Sequence, residues 1–267
     1  MSPVSPIPHR FGRRPYRSVV VHGGPGAPGS LAPVARVLGR SVGVLEPWQT
    51  ARSVDGQVEE LARVVRRWAT PPVTVIGHSW GAWLSILLTV RHPTLVGRLV
   101  LVGAAPFRAR DADAVRDRRR KRLSPNERSE YETLGRRLSD PHARVSASAM
   151  RRLGTLTERV DSFAPVSHRR VGPPPDPAMF RKVWREAEEL RRRGDLLRAL
   201  RHLRVPVLVL HGRYDPHPVR GVVKPLRDAG ADLRVVVLER CGHEPWWERY
   251  ARNRFFDRLR REVVQPP

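Results

Sequence analysis

The sequence predicts an α/β fold: a doubly wound, mostly parallel sheet carrying an inserted helical cap. Three observations predict it. Short apolar, β-branched runs alternate with segments of helical periodicity across residues 17–106 and again from 201 onward. Between them, 107–200 is charged and helix-prone, with no convincing core strand. The chemically distinctive residues follow directly on the apolar runs, at the edge where an open parallel sheet gathers its ligand-binding groups. The expected organisation is an irregular, proline-rich arm at 1–16, a core from 17–106 and 201–267, and the cap at 107–200.

In chain order, Arg17 to Val21 reads as a buried strand running into His22-Gly23-Gly24-Pro25-Gly26. Glycines there let backbone approach a ligand closely and offer free amides. Leu31 to Leu38 is a short helix, and Ser41 to Leu45 a second strand followed by the loop Glu46-Pro47-Trp48-Gln49-Thr50. Ser53 opens a helix with apolar or small residues at 54, 58, 61, 62, 65 and 68, stopped by Pro71-Pro72. The Val73 strand ends in Gly77-His78-Ser79-Trp80-Gly81, with an apolar helix from Ala82 to Arg91 behind it and a strand at Leu99 to Val102. Within the cap, Ser124 and Asp176 suit helix starts, because a side-chain oxygen there accepts a free amide. Strand rhythm returns at Pro206 to Leu210, followed by His211-Gly212-Arg213-Tyr214-Asp215-Pro216 and a helix from Val219 to about Ala229. Leu233 to Leu238 is the last strand, and Cys241-Gly242-His243 follows it. Glu244 then opens an amphipathic C-terminal helix with Trp247, Tyr250, Phe255 and Leu259 as packing residues.

Composition narrows the function classes. The net charge of +24 invites a nucleic-acid or membrane reading. Yet lysine stands only at 121, 182 and 224, so the basic excess is almost wholly arginine, as GC-rich coding produces. Nor is the charge gathered in one tail: 107–204 carries 26 basic and 14 acidic residues, half of the net charge, and the remainder carries the other half. No nucleic-acid recognition motif accompanies it, so no specific nucleic-acid partner is expected. The arginines of the cap favour an acidic substrate instead. Cys241 is alone, which rules out an intrachain disulfide. No apolar run reaches the ~18 residues of a membrane span, and the first fifteen residues have no signal-like apolar region. A cytoplasmic location and no membrane partner are expected. The ten histidines form no H-E-x-x-H or similar spacing, so no metal is expected.

The chemistry sits in four stretches. G-x-S-x-G between a strand and a helix is a sharp turn that lifts a serine hydroxyl clear of the backbone. Ser79 is a weak nucleophile until a base takes its proton. His243 can do so near neutral pH, and Asp215 can hold its tautomer and stabilise the imidazolium. Each is ambiguous alone, Asp215 as a turn aspartate and His243 as a loop histidine. The order serine, acid, histidine, with room for one helix and one strand between Asp215 and His243, joins them into a triad. The amides of Trp80 and Gly24 are the expected oxyanion donors, and Trp48 and the Trp80 side chain are placed at the substrate pocket. His217, in a Pro-His-Pro turn beside Asp215, is the rival base. His22, His78 and His211 are given packing roles.

With HGGPG at 22–26, GHSWG at 77–81, HGRYD at 211–215 and CGH at 241–243, the chain resembles the α/β-hydrolase superfamily. HGGPG with a Ser-Trp-Gly elbow is also similar to its prolyl aminopeptidase branch. The resemblance implies the α/β-hydrolase fold, a Ser-Asp-His triad, a helical cap and no cofactor. Two features depart from that branch. Glu46-Pro47-Trp48-Gln49-Thr50 stands where it carries an Asp-Gln-Arg-Gly-type loop, and the cap glutamates Glu158, Glu186, Glu188 and Glu189 lack a recognisable spacing. The expected function is a serine hydrolase cleaving an ester, or less readily an amide, of a small molecule or short peptide. A prolyl-aminopeptidase-like enzyme and a non-catalytic binding protein of the same fold are the alternatives.

Overall fold

The computed structural model describes residues 7–140, 142–166 and 172–264. The strands are β1 (His9–Phe11), β2 (Tyr16–Val21), β3 (Gly43–Glu46), β4 (Val73–His78), β5 (Val96–Val102), β6 (Val207–Gly212) and β7 (Leu233–Leu238). They form one sheet in the order β1-β3-β2-β4-β5-β6-β7. All neighbours run parallel except β1, which pairs antiparallel with β3, His9 opposite Glu46 and Phe11 opposite Val44. The expected irregular arm is thus corrected over part of its length. Residues 9–11 close the sheet edge and β2 already begins at Tyr16, because a three-residue edge strand needs only one neighbour and shows no buried alternation to read. Residues 1–6 lie outside the described residues.

The core helices are α1 (Ala32–Leu38), α2 (Val54–Trp68), α3 (Trp80–Arg91), α9 (Arg220–Asp228) and α10 (Arg252–Val264). Period-2 alternation assigns each central strand residue to a face. Leu99, Leu101, Val207 and Val209 pack with α2, α3 and α9, while Val100, Val102, Leu208 and Leu210 pack with α1 and α10. Each such fully buried side chain contributes roughly 1.5–3 kcal/mol, so register is firmly set.

Between β5 and β6 lie α4 (Ala109–Arg122), α5 (Pro125–Ser139), α6 (Ala147–Asp161), α7 (Pro177–Arg192) and α8 (Asp195–Leu200). The side chain of Asp176 accepts the amides of Ala178 and Met179 at the start of α7, and Glu127 accepts the Ser124 amide at the start of α5. Leu123, Leu156 and Val160 make a small separate core under α5 and α6. Met179, Val183 and Ala187 of α7 join the main core, and Glu186 accepts the Val54 amide at 2.8 Å, tying α7 to the start of α2. Among the described residues no helix is long and apolar enough to cross a membrane.

The C-terminal helix does not open at Glu244. Pro245–Trp247 is a single 3-10 turn and α10 starts at Arg252. The cause is Glu248, whose buried carboxylate accepts the amides of Gly242, Phe163 and Ala164 and folds this segment back on itself. Phe255 and Leu259 are buried as expected, Trp247 is partly buried, and Tyr250 is exposed.

Candidate active site

Ser79 stands between β4 and α3 with φ 52° and ψ −112°, a conformation that non-glycine residues rarely hold and that cores must enforce. Packing enforces it. A Cβ on Gly77 would lie 2.4 Å from the Gly81 carbonyl, and one on Gly81 2.1 Å from that of Val21. The elbow therefore presses directly against β2. The Ser79 amide donates to the Val102 carbonyl at 3.0 Å, and its half-buried side chain borders a cavity of about 1270 Å³. Gly23, Gly24, His78, His217 and His243 line the same cavity, with α4 to α7 on its other side.

Asp215, after β6, is fully buried and divides its carboxylate between two histidines. His243 Nδ1 donates to Oδ2 at 2.8 Å; His217 Nδ1 and its amide donate to Oδ1 at 2.7 and 2.9 Å. An ionised carboxylate only accepts, which fixes the proton on both Nδ1 atoms and leaves Nε2 of His243 unprotonated in the neutral ring. Burial works against charge on every member, yet the histidines around Asp215 hold its carboxyl well below the usual range. The two rings separate in consequence. Burial pulls His243 down, but the Asp215 charge and hydrogen bond outweigh it and the net shift is upward. For His217 burial wins, and the imidazole falls to about 4. His243 is thus the ring that can take a proton near neutral pH; His217 stays neutral.

The base is held at three further points. Its amide donates to the Asp161 carbonyl at 2.9 Å, and its carbonyl accepts from His78 Nε2 at 3.1 Å. Gly103 (φ +50°) runs beneath it, and a Cβ there would come within 3.0 Å of His243 Nδ1 and 3.1 Å of Asp215 Oδ2. Asp161 is itself gripped by Arg119 through two hydrogen bonds, 2.9 and 2.6 Å. Asp161, Glu248 and Gly103 carried no sequence signal: Asp161 acts through its carbonyl, Gly103 through an absent side chain, and Glu248 through a carboxylate whose amide partners include residues far along the chain.

Asp215, His217 and His243 offer ligand atoms within 4.8 Å of one another, the one such set of three among the described residues. Both facing nitrogens are already engaged with the carboxylate, so the set reads as an acid with two histidine neighbours. His22 packs as expected, its ring buried against the Gly23 carbonyl and drawn down to about 4 by burial. His211 Nε2 likewise donates to the His217 carbonyl at 2.8 Å.

Two expectations are corrected. Trp48 stacks on His9, centroids 4.2 Å apart, and does not line the cavity; β1, unseen in the sequence, covers it. The Trp80 side chain turns into the core, where Nε1 donates to Gln57 Oε1 at 3.1 Å. Its backbone amide opens α3, among the amides that a helix cannot satisfy internally. The Gly24 amide makes no hydrogen bond among the described residues. Of the cap glutamates, Glu158 and Glu188 reach the cavity; Glu186 and Glu189 are engaged elsewhere.

Residues 11–254 match the family model described as the alpha/beta hydrolase family. The chain therefore belongs to that family, and this membership makes it an enzyme of the hydrolase class. Solved structures agree in fold. VinJ superposes with a TM-score of 0.67 at 18% identity, covering 97% of this chain and 94% of that one. The esterase EaEST from Exiguobacterium antarcticum gives 0.64 at 18% identity, covering 97% and 95%. The CarC enzyme, a serine hydrolase involved in carbazole degradation, gives 0.56 at 18%, covering 94% and 91%.

Proposed function

We propose that this enzyme cleaves a carboxylic ester through an acyl-enzyme, with Ser79 as nucleophile, His243 as general base and acid, and Asp215 as the orienting acid. The observation that carries the reading is His243 Nδ1 at 2.8 Å from buried Asp215, in the one cavity that also receives Ser79 on a strained elbow. His243 Nε2 takes the hydroxyl proton as Ser79 Oγ attacks the carbonyl carbon. The oxyanion is met by the amides of Gly24 and Trp80, each donor contributing about 2.7–4 kcal/mol. Collapse of the tetrahedral species returns the proton from His243 to the leaving oxygen. Water then repeats the sequence on the acyl-serine and releases the acid. Helices α4 to α8 act as the cap that shapes the pocket.

Two of the similar structures are named as an esterase and a serine hydrolase, which agrees with this reading. An N-terminal peptidase needs a free acid for the substrate's amine. Glu188 accepts from Trp184 Nε1 and lies beside Arg191, which favours an ester over a peptide. Turnover of p-nitrophenyl esters, abolished by Ser79→Ala, tests the proposal, with proline p-nitroanilide alongside. Turnover of the anilide alone would transfer the reading to the peptidase class.

A further inference from the structure

The cavity side of α7 presents Arg181, Trp184, Arg185, Glu188 and Arg191, spaced three and four apart along one helical face. Two other cations of the cavity wall have acceptors within hydrogen-bond distance: Arg119 grips Asp161, and Arg181 donates to the carbonyls of Asp140 and Ala143. Arg191 does not. Its side chain is only 9% exposed, and no acceptor lies within hydrogen-bond distance among the described residues. The nearest carboxylate, Glu188, is 3.6 Å away, more than half exposed, and already engaged by Trp184. A guanidinium carries five donors, and burying it without acceptors is costly.

Its seat is rigid. Arg191 lies over the indole of Trp83 at 5.4 Å, and that indole is fixed by Nε1 donating to the Ala105 carbonyl at 2.9 Å. Trp83 in turn packs against Trp80, the residue after Ser79, with centroids 6.0 Å apart. A stacked guanidinium keeps its N–H edge free for a planar oxyanion. The charged groups that reach Arg191 are Glu188 on its own helix and Asp113 and Arg116 on α4. Asp113 and Arg116 pair with each other at 3.1 Å and Glu188 is more than half exposed, so Arg191 is left to complement a single negative charge.

We propose that the substrate carries a carboxylate, on its acyl chain or its leaving group, that Arg191 binds inside the Ser79 cavity. This rests on the ester-hydrolase reading but is separable from it by experiment. The probes are p-nitrophenyl hemiesters of succinate, glutarate, adipate and suberate, each against the neutral p-nitrophenyl alkanoate of equal length. Wild-type enzyme is expected to prefer at least one hemiester by about tenfold or more in kcat/KM, chiefly through KM. Arg191→Met is expected to remove that preference and Arg191→Lys to keep part of it; the ratio between the two esters is the readout. No preference for any hemiester in the wild type, or a ratio unchanged in Arg191→Met, overturns the proposal. Calorimetry on Ser79→Ala with the monomethyl esters of the same diacids reads binding without turnover. Binding that disappears on adding Arg191→Met supports the Arg191 site even if no ester is cleaved, in which case the hydrolase reading alone fails. Equal binding with and without Arg191→Met sinks the site whatever the kinetics.

Discussion

The imidazoles of His217 and His243 lie stacked, 4.5 Å between centroids and 27° between planes, each on its own oxygen of Asp215. One carboxylate thus serves two rings of opposite character. The neutral ring draws electron density toward Oδ1; the ionisable ring uses Oδ2. Removing the side-chain donor with His217→Leu leaves more negative charge for His243 and raises its pKa further. Because turnover needs neutral His243, the acid limb of kcat/KM against pH is expected to move to higher pH. A limb that stays put, or moves down, would show that His217 does not tune the base.

Gly103→Ala tests the floor beneath the triad. Its Cβ would crowd both partners of the His243–Asp215 bond from a backbone that disfavours side chains. Displacements of about 1 Å at such a site cost on the order of 10²-fold in rate. The expected result is a large fall in kcat with about 1–2 kcal/mol lost in urea unfolding. A rate near wild type would mean that the triad tolerates the intrusion.

Glu248, a residue only 1% exposed, ties the His243 loop to the segment after α6 by accepting three backbone amides. Glu248→Ala strands those donors at about 1–3 kcal/mol each. A loss of about 3 kcal/mol or more in denaturant unfolding is expected, with slower covalent labelling of Ser79. A loss under about 1 kcal/mol would place the loop's stability elsewhere.

Stability is expected to depend on pH through buried neutral histidines. His22 and His217 have folded pKa values depressed from 6.5 to about 4 by burial, and His78 lies well below 6.5 for the same first cause. From pH 6.5 down to 4 the unfolded chain binds protons that the folded chain refuses, so stability falls as pH falls, by about 1.4 kcal/mol per pH unit for each group. Glu46, raised to about 7 by burial, works the other way between 4.5 and 7 and offsets one histidine. The melting temperature should therefore drop on acidification below pH 6.5, and less steeply in His22→Asn. A flat profile across that window would contradict the buried, neutral state.

Strand runs such as Val73–His78 and Val207–Gly212 were legible because central parallel strands are apolar on both faces, and the glycine-bracketed Ser79 announced its turn. Ser79, Asp215 and His243 were legible together because parallel topology brings the ends of β4, β6 and β7 to one edge. Local pattern fails where a contact is long-range and singular. His9–Phe11 is a strand only because β3 lies beside it, and Trp48 is covered only because His9 does. Glu248 lies inside the stretch that reads as the C-terminal helix, and nothing local marks it because its partners Phe163 and Ala164 come from just after α6. Arg191 is one arginine among many until Trp83 and the missing acceptor set it apart.

A fluorophosphonate probe bears most directly on the Ser79–His243–Asp215 machinery, because it reacts only with a serine that a neighbouring base has activated. Stoichiometric labelling mapped to Ser79, absent in Ser79→Ala and sharply slowed in His243→Ala, is the expected result. A folded wild-type protein that takes no label, or labels equally well without His243, would contradict it.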